Sequence, residues 1–151
     1  RDRPLARRAT LGAVWRMKVL LDTNILLDVL LARAPFVTDA SAIWAACDAG
    51  DLTGCISAST LTDIFYIARR ATDIPTARIA IGLCLATFDI VPIDRQTLEQ
   101  AAALSGDDFE DNVQIACATI AGLDAIVTRN TAHFAGAALP ILPPAELVAR
   151  L

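Results

Sequence analysis

The chain has 151 residues, of which 55% are hydrophobic, so it can bury one sizeable apolar core and is not an intrinsically disordered protein. Acidic residues outnumber basic ones by 17 to 13, for a net charge of −4. This balance argues against a protein that holds a nucleic-acid backbone over a broad basic surface. The acidic excess is therefore the feature that a functional hypothesis has to explain.

The first sixteen residues differ in composition from the rest of the chain. They contain five of the thirteen basic residues and one acidic residue, and they precede Met17, the only methionine. We interpret residues 1–16 as a basic leader, non-native or disordered, and predict a single domain over residues 17–151. A targeting peptide is the alternative, but the apolar segment 11–15 is shorter than a secretory hydrophobic region. Without the leader, eight basic and sixteen acidic residues remain, a net charge of −8.

The mean hydropathy of +0.50 raises the question of a membrane protein. No stretch of about 18 residues is both apolar and uncharged, as a membrane-spanning helix requires. The nearest segment, residues 74–88, is shorter and contains Arg78. It predicts a buried amphipathic helix in a protein that does not span a membrane.

The cysteines indicate neither a zinc site nor a disulfide framework. They are far apart in apolar segments and lack the C-x-x-C spacing: Cys47, Cys55, Cys84 and Cys117. We expect them to be small core residues of a protein from a reducing cytosol.

From Met17 onward, short apolar runs alternate with longer segments of helical character. The runs predict strands over residues 18–21, 54–57, 90–93, 125–128 and 140–142. The other segments predict helices over residues 25–32, 40–49, 59–70, 75–87, 95–104 and 110–121, with a terminal helix from Pro143. Thr23 and Asn24 are the expected caps of the first helix. This alternation predicts an α/β fold: a three-layer α/β/α sandwich with a short-stranded parallel sheet, Rossmann-like in architecture.

Acidic residues lie near the ends of several predicted strands. Asp22 ends the first strand, and Asp63 lies early in the helix after the second. Asp111 opens the helix before the fourth strand, which ends at Thr128. All can converge on the carboxyl edge of the sheet, where ligands of open α/β sheets bind. Converging carboxylates raise one another's pKa unless a cation neutralises them, and an all-oxygen site suits Mg²⁺ or Mn²⁺. Such ions support the hydrolysis of phosphodiesters.

Four segments of the chain resemble, in order and spacing, the four motifs of PIN-domain ribonucleases. They are LLDTNILLD at 20–28, SASTLTDIFYIARR at 57–70, DDFEDNVQIACA at 107–118 and IVTRNTAHF at 126–134. The resemblance is greatest to the VapC-type toxins of prokaryotic toxin–antitoxin pairs, and it covers nearly all of residues 17–151. It implies a PIN-like fold and an endoribonuclease that depends on Mg²⁺ or Mn²⁺ and cleaves single-stranded RNA. It also implies a homodimer and an antitoxin partner whose C-terminal segment enters the active-site groove.

The resemblance also assigns roles to the acidic residues. It implies that Asp22 and Asp111 are the metal ligands of the first and third motifs. Asp63 falls where the family usually has glutamate, so direct ligation by this shorter side chain requires a shifted backbone or a bridging water. Asp108, three residues before Asp111, can reach the same site from the start of the helix.

Three uncharged polar residues complete the predicted site. Asn24 and Thr128 match positions that bind or orient the active-site water and carboxylates in the family. Asn130 falls where many members have a fourth aspartate, and its amide adds a ligand or donor without charge. Occupancy by one or by two metal ions stays open at this point.

Other readings of these residues lead to a second hypothesis. Asp63 and Asn130 favour a catalytically weakened PIN-like module that binds RNA or protein. Glu110 reads as an acid favoured at a helix N-terminus, and His133 as part of a loop that packs on the core. Arg129 is equally compatible with an RNA phosphate contact and with a solvated side chain.

Overall fold

The computed structural model describes residues 17–151, so the predicted leader lies outside the described residues. The strands of the sheet are β1 (Lys18–Leu21), β2 (Thr53–Ser57), β3 (Asp89–Val91), β4 (Ala125–Val127) and β5 (Ile141–Leu142). The helices are α1 (Thr23–Leu30), α2 (Val37–Asp48), α3 (Ala58–Ala71), α4 (Ile74–Thr87), α5 (Arg95–Ala103), α6 (Phe109–Ile120) and α7 (Pro144–Val148). A 3₁₀ turn, Thr131–Phe134, follows β4.

Strand β1 lies in the centre of an all-parallel sheet with the order β3-β2-β1-β4-β5. Its side chains alternate between two separate cores. Val19 and Leu21 belong to the core that includes side chains of α1, α2, α3 and α4, while Leu20 belongs to the core that includes α5 and α6. Helices therefore cover both faces of the sheet, and the predicted three-layer α/β sandwich is confirmed.

Strands β1 and β4 end side by side at the carboxyl edge of the sheet. Leu21 pairs with Val127, and the backbone N–H of Asp22 donates to the carbonyl oxygen of Val127 at 3.0 Å. The residues that follow the two strands, Asp22 and Thr128, are thus held together by the register of the sheet.

The predicted cap of the first helix is wrong. Helix α1 begins at Thr23, so Thr23 and Asn24 lie in its first turn, and Asp22 occupies the N-cap position with extended backbone angles of φ −64° and ψ 147°. The chain passes from strand to helix within one residue, which leaves no room for a separate cap. The carboxylate of Asp22 makes no capping bond to the helix.

The helix predicted over residues 74–88 is confirmed as α4 (Ile74–Thr87), but only one face of it is buried, and that face carries small side chains. Helix α4 directs the small residues Ala77, Ala80 and Cys84 inward. The larger Ile79 and Leu83 are 64% and 49% exposed. Small side chains allow α4 to pack closely on the layer below, so its bulky apolar side chains lie on the outer surface. Within residues 17–151, the helices all lack the length and apolar character needed to cross a membrane. All four cysteines are free and buried, as predicted.

Candidate functional site

Asp22 is fixed by a short chain of hydrogen bonds at the carboxyl edge of the sheet. The hydroxyl of Thr128, which is fully buried, donates to Asp22 Oδ2 at 2.8 Å. The backbone N–H of Asn130 in turn donates to Thr128 Oγ1 at 3.0 Å. The threonine therefore orients one carboxylate oxygen of Asp22. The contribution of Asn130 to this chain is made by its backbone, and its side chain is exposed.

Asp111 lies close enough to Asp22 for their charges to interact. Burial, and then the negative charges of Asp108 and Asp22, raise the pKa of Asp111. The pKa of Asp22 is also raised, chiefly by burial, although the hydrogen bond from Thr128 opposes the shift. The structure therefore brings the first-motif and third-motif aspartates together, as the sequence predicts.

Two further side chains surround Asp111. Asp108 is the N-cap of α6, and its Oδ1 accepts from the backbone N–H of Asp111 at 3.0 Å. His133 Nδ1 lies 3.5 Å from Asp111 Oδ2 on an exposed side chain. The neighbouring Phe134 leads the sequence to predict that this loop packs on the core, and Phe134 is buried there, while His133 itself is exposed. The part of Asp108 in a metal site stays a prediction.

A second acidic pair joins α3 to α6. Interaction with the Asp63 side chain raises the pKa of Glu110 to about 7, and burial and the charges of Asp63, Asp108 and Asp111 add to the shift. Glu110 is the functional candidate that sequence reasoning set aside. One signal for it exists in the sequence: Gln114, a polar residue four positions later in an otherwise apolar stretch, marks this face of α6 as polar.

The structure directs Asn24 towards a different partner. Its Oδ1 accepts from Arg33 Nη1 at 3.4 Å, in the segment that follows α1. A role for Asn24 in orienting the site's carboxylates or water stays a prediction.

Arg129 is engaged by an internal carboxylate. Its Nε and Nη2 donate to the two oxygens of Asp28 at 2.8 and 3.1 Å, and its guanidinium lies 3.8 Å from the centre of the Phe36 ring. Asp28 is fully buried, and Arg33 approaches it at 3.9 Å. The guanidinium of Arg129 therefore neutralises a buried charge, which a solvated side chain would not do.

The donors at the carboxyl edge suit a hard cation, because they are carboxylate, hydroxyl and amide oxygens. Within residues 17–151, however, no group of three or more His, Cys, Asp or Glu side chains is gathered so that it could hold a metal ion. The acids act on one another through their charges: Asp108 and Asp22 on Asp111, and Asp63, Asp108 and Asp111 on Glu110. The chemistry of the donors fits Mg²⁺ or Mn²⁺, while the predicted ligand set of Asp22, Asp63, Asp108 and Asp111 is not assembled around one point.

Comparison with known proteins places this arrangement in context. A sequence profile described as "PIN domain" matches residues 18–132, which contain all the residues of the candidate site. No curated protein sequence matches the chain.

Several solved structures share the fold. A toxin–antitoxin complex from Klebsiella pneumoniae aligns with a TM-score of 0.63 and 28% identity, over 83% of this chain and 97% of that one. VapBC2 from Rickettsia felis, bound to a promoter DNA fragment, aligns with a TM-score of 0.60 and 16% identity, over 84% and 98% of the two chains. The Mycobacterium tuberculosis toxin VapC20, described as cleaving the sarcin–ricin loop, aligns with a TM-score of 0.59 and 16% identity, over 72% and 86%. At 16% identity, the last two comparisons support the fold alone.

Proposed function

The chain belongs to the PIN-domain family, and we propose that it is a metal-dependent endoribonuclease that hydrolyses phosphodiester bonds in single-stranded RNA. The observation that carries the proposal is the pairing of Asp22 with Asp111 at the carboxyl edge of the sheet. Burial and the nearby carboxylates raise the pKa of Asp111, so its ionised form is disfavoured without a cation. An external divalent cation at this edge would relieve that cost, which supports a need for Mg²⁺ or Mn²⁺.

The protein's own side chains would prepare the site before RNA binds. Thr128 holds one oxygen of Asp22 in place, and the N-terminal turn of α6 presents Asp111. The pKa of Glu110 is raised to about 7, so near neutral pH this side chain carries less negative charge than an ordinary glutamate. When bound, a hard divalent ion would polarise the phosphate and supply a water that is more acidic than bulk water.

We further propose that the protein is a VapC-type toxin that an antitoxin neutralises. The similar Klebsiella pneumoniae structure is a toxin–antitoxin complex, which supports this role. A basic side chain on a partner segment would neutralise the acidic edge in the same way as a metal ion. The exposed apolar side chains of α4, among them Ile79 and Leu83, favour contact with a second copy and suit a homodimer.

The test is a cleavage assay on end-labelled single-stranded RNA with Mn²⁺, with Mg²⁺ and with a chelator. Asp22→Asn is expected to lower the rate about 1,000-fold, since loss of metal-supported charge stabilisation costs several kcal/mol. Asp89→Asn is the matched control, because Asp89 is an exposed aspartate at the start of β3, on the opposite edge of the sheet. Equal rates for folded Asp22→Asn and the unaltered protein, or cleavage in chelator, would contradict the proposal.

A catalytically weakened module that binds RNA or protein is the second candidate function. It is favoured by the absence, within residues 17–151, of a group of three or more His, Cys, Asp or Glu side chains that could hold a metal ion. The same assay distinguishes the two functions. RNA that is retained by the protein but stays intact with Mn²⁺, together with unchanged binding by Asp22→Asn, would support the module.

A further inference from the structure

Uncharged polar side chains from four segments meet below the acidic edge. They form the buried polar cluster, which consists of Thr23 at the start of α1, Ser57 at the end of β2, Thr60 in α3 and Gln114 in α6. Thr60 and Ser57 are fully buried, and Gln114 is 3% exposed. Most polar groups at this depth in folded proteins have at least one hydrogen-bond partner.

Thr60 is the centre of the buried polar cluster. Its Oγ1 lies 3.1 Å from Thr23 Oγ1, 3.1 Å from Ser57 Oγ and 3.3 Å from Gln114 Nε2. A hydroxyl has one hydrogen to donate and two lone pairs to accept with. Because the Gln114 amide nitrogen can only donate, Thr60 accepts from it, and the other two bonds use the remaining donor and acceptor. The hydrogen-bonding capacity of Thr60 is thus fully used.

Helical spacing connects the buried polar cluster to the acids above it. Thr60 precedes Asp63 by three residues in α3, and Gln114 follows Asp111 by three in α6. Residues three apart lie on the same face of a helix, so each polar residue is about one turn away from an acid on the same face. Thr23 directly follows Asp22. Every segment that carries an acid of the site is therefore bonded, one step deeper, to the same hydroxyl.

The contact between α3 and α6 consequently has two levels. The outer level is the acidic pair of Asp63 and Glu110, and the inner level is the neutral bond from Gln114 to Thr60. The amide of Gln114 and the hydroxyl of Thr60 are uncharged, and the bond between them at 3.3 Å joins the two helices directly.

We propose that Gln114 and Thr60 are positioning residues, which set the separation of α3 from α6 and thereby place the acids of the site for a divalent cation. The proposal rests on the proposed function in one respect only, the identity of that cation. It assigns the two residues no contact with the metal ion or with RNA.

The side-chain oxygen of Gln114 supports a role for this residue other than stabilising the fold. Gln114 Oε1 is buried and has no hydrogen-bond partner within the described residues. A buried acceptor without a donor destabilises the folded state, and an apolar side chain of similar size avoids this cost. Thr60 retains Thr23 and Ser57 as partners when Gln114 is replaced. Gln114→Leu is therefore expected to leave the stability unchanged or to raise it, while removing the bond between the two helices.

The experiment measures Mn²⁺ binding by calorimetry on the full chain, without RNA and hence without reference to cleavage. Gln114→Leu and Thr60→Val are each expected to raise the dissociation constant for Mn²⁺ about 10- to 100-fold, the size of effect that follows the loss of groups that orient metal ligands. Thr60→Ser keeps the hydroxyl and should restore binding to within about threefold. Thr97→Val is the matched control, since Thr97 is a buried threonine of α5 whose hydroxyl bonds to Asp94, away from the site.

A second measurement separates this inference from the proposed function. Hydrogen exchange in chelator-treated protein should be about tenfold faster in the first turns of α3 and α6 for Gln114→Leu, and unchanged for Thr97→Val. Absence of Mn²⁺ binding by the unaltered protein would overturn the metal-dependent function, whereas the exchange rates would still decide the positioning role. If Thr60→Val does not fold, the Mn²⁺ affinity and the exchange rates of Gln114→Leu alone decide whether the inference holds. A folded Gln114→Leu with unaltered exchange or unaltered Mn²⁺ affinity would overturn the inference.

Discussion

Two carboxylate regions of the molecule differ in how their charge is balanced. Asp28 is fully buried, yet it accepts two hydrogen bonds from Arg129 at 2.8 and 3.1 Å. Asp111 is less buried, and its charged neighbours are acids, with His133 as the one base near it among the described residues. Depth of burial alone would select Asp28 as the unusual carboxylate. The comparison instead teaches that a charge the protein leaves unbalanced is the better sign of a binding site.

The largest expected effect concerns the balanced region. Asp28→Asn should lower the free energy of unfolding by about 3 kcal/mol, because it leaves the Arg129 guanidinium without its counter-charge. Urea denaturation measures this loss. Glu146→Gln is the control, since it breaks the exposed pair with Arg150 and should cost less than about 1 kcal/mol. If Asp28→Asn lowered the free energy of unfolding as little as the control does, the charges of Asp28 and Arg129 would not be balancing one another.

A smaller effect is expected when a cation is supplied to the unbalanced region. Mn²⁺ at 100 times its dissociation constant should raise the free energy of unfolding by about 2.7 kcal/mol, through preferential binding to the folded state. The gain should persist in Asp28→Asn and disappear in Asp111→Asn. Thermal unfolding with and without Mn²⁺ gives the comparison. An equal gain in both variants would remove the distinction between the two regions.

The smallest effect concerns the pH dependence of stability in metal-free protein. The pKa of Glu110 is raised to about 7 in the folded state, so the folded protein binds this proton more tightly than the unfolded chain does. The resulting stabilisation is complete below the ordinary pKa of glutamate and is lost as the pH rises through about 7. Glu110→Gln should abolish that part of the pH dependence, by about 1 kcal/mol or less, since the side chain is exposed. Urea denaturation in chelator from pH 5 to 8 measures it. If the stability of Glu110→Gln depended on pH in the same way as that of the unaltered protein, the raised pKa of Glu110 would be contradicted.

The sequence predicts the parts of the site that depend on strand order and register. Asp22 and Thr128 follow two apolar strands, and parallel strands end at a common edge, so their proximity follows from the pattern. The partnership of Asp63 with Glu110 does not follow, because it depends on the rotation of two helices that pack through side chains far apart in the chain. The same holds for Arg129, whose partner Asp28 lies 101 positions away. Charge alone does not show that this arginine is already occupied.

The burial of helix α4 also follows only in part from the sequence. The spacing of apolar residues predicts that α4 exists, but not which face of it is buried. Its inward positions carry Ala77 and Ala80, whereas hydrophobicity alone favours Ile79 and Leu83 for the interior. How closely the helix approaches the layer below decides the matter, and that distance is a property of the packed structure.

The bond between Thr128 and Asp22 has a consequence for biosynthesis. The two residues are 106 positions apart, and β4 must join β1 before the hydroxyl can reach the carboxylate. At translation rates of about 5–20 residues per second, Thr128 is made about 5–20 s after Asp22. A nascent chain therefore has an incomplete site during most of its synthesis. An activity that depends on this bond therefore first arises once β4 has left the ribosome.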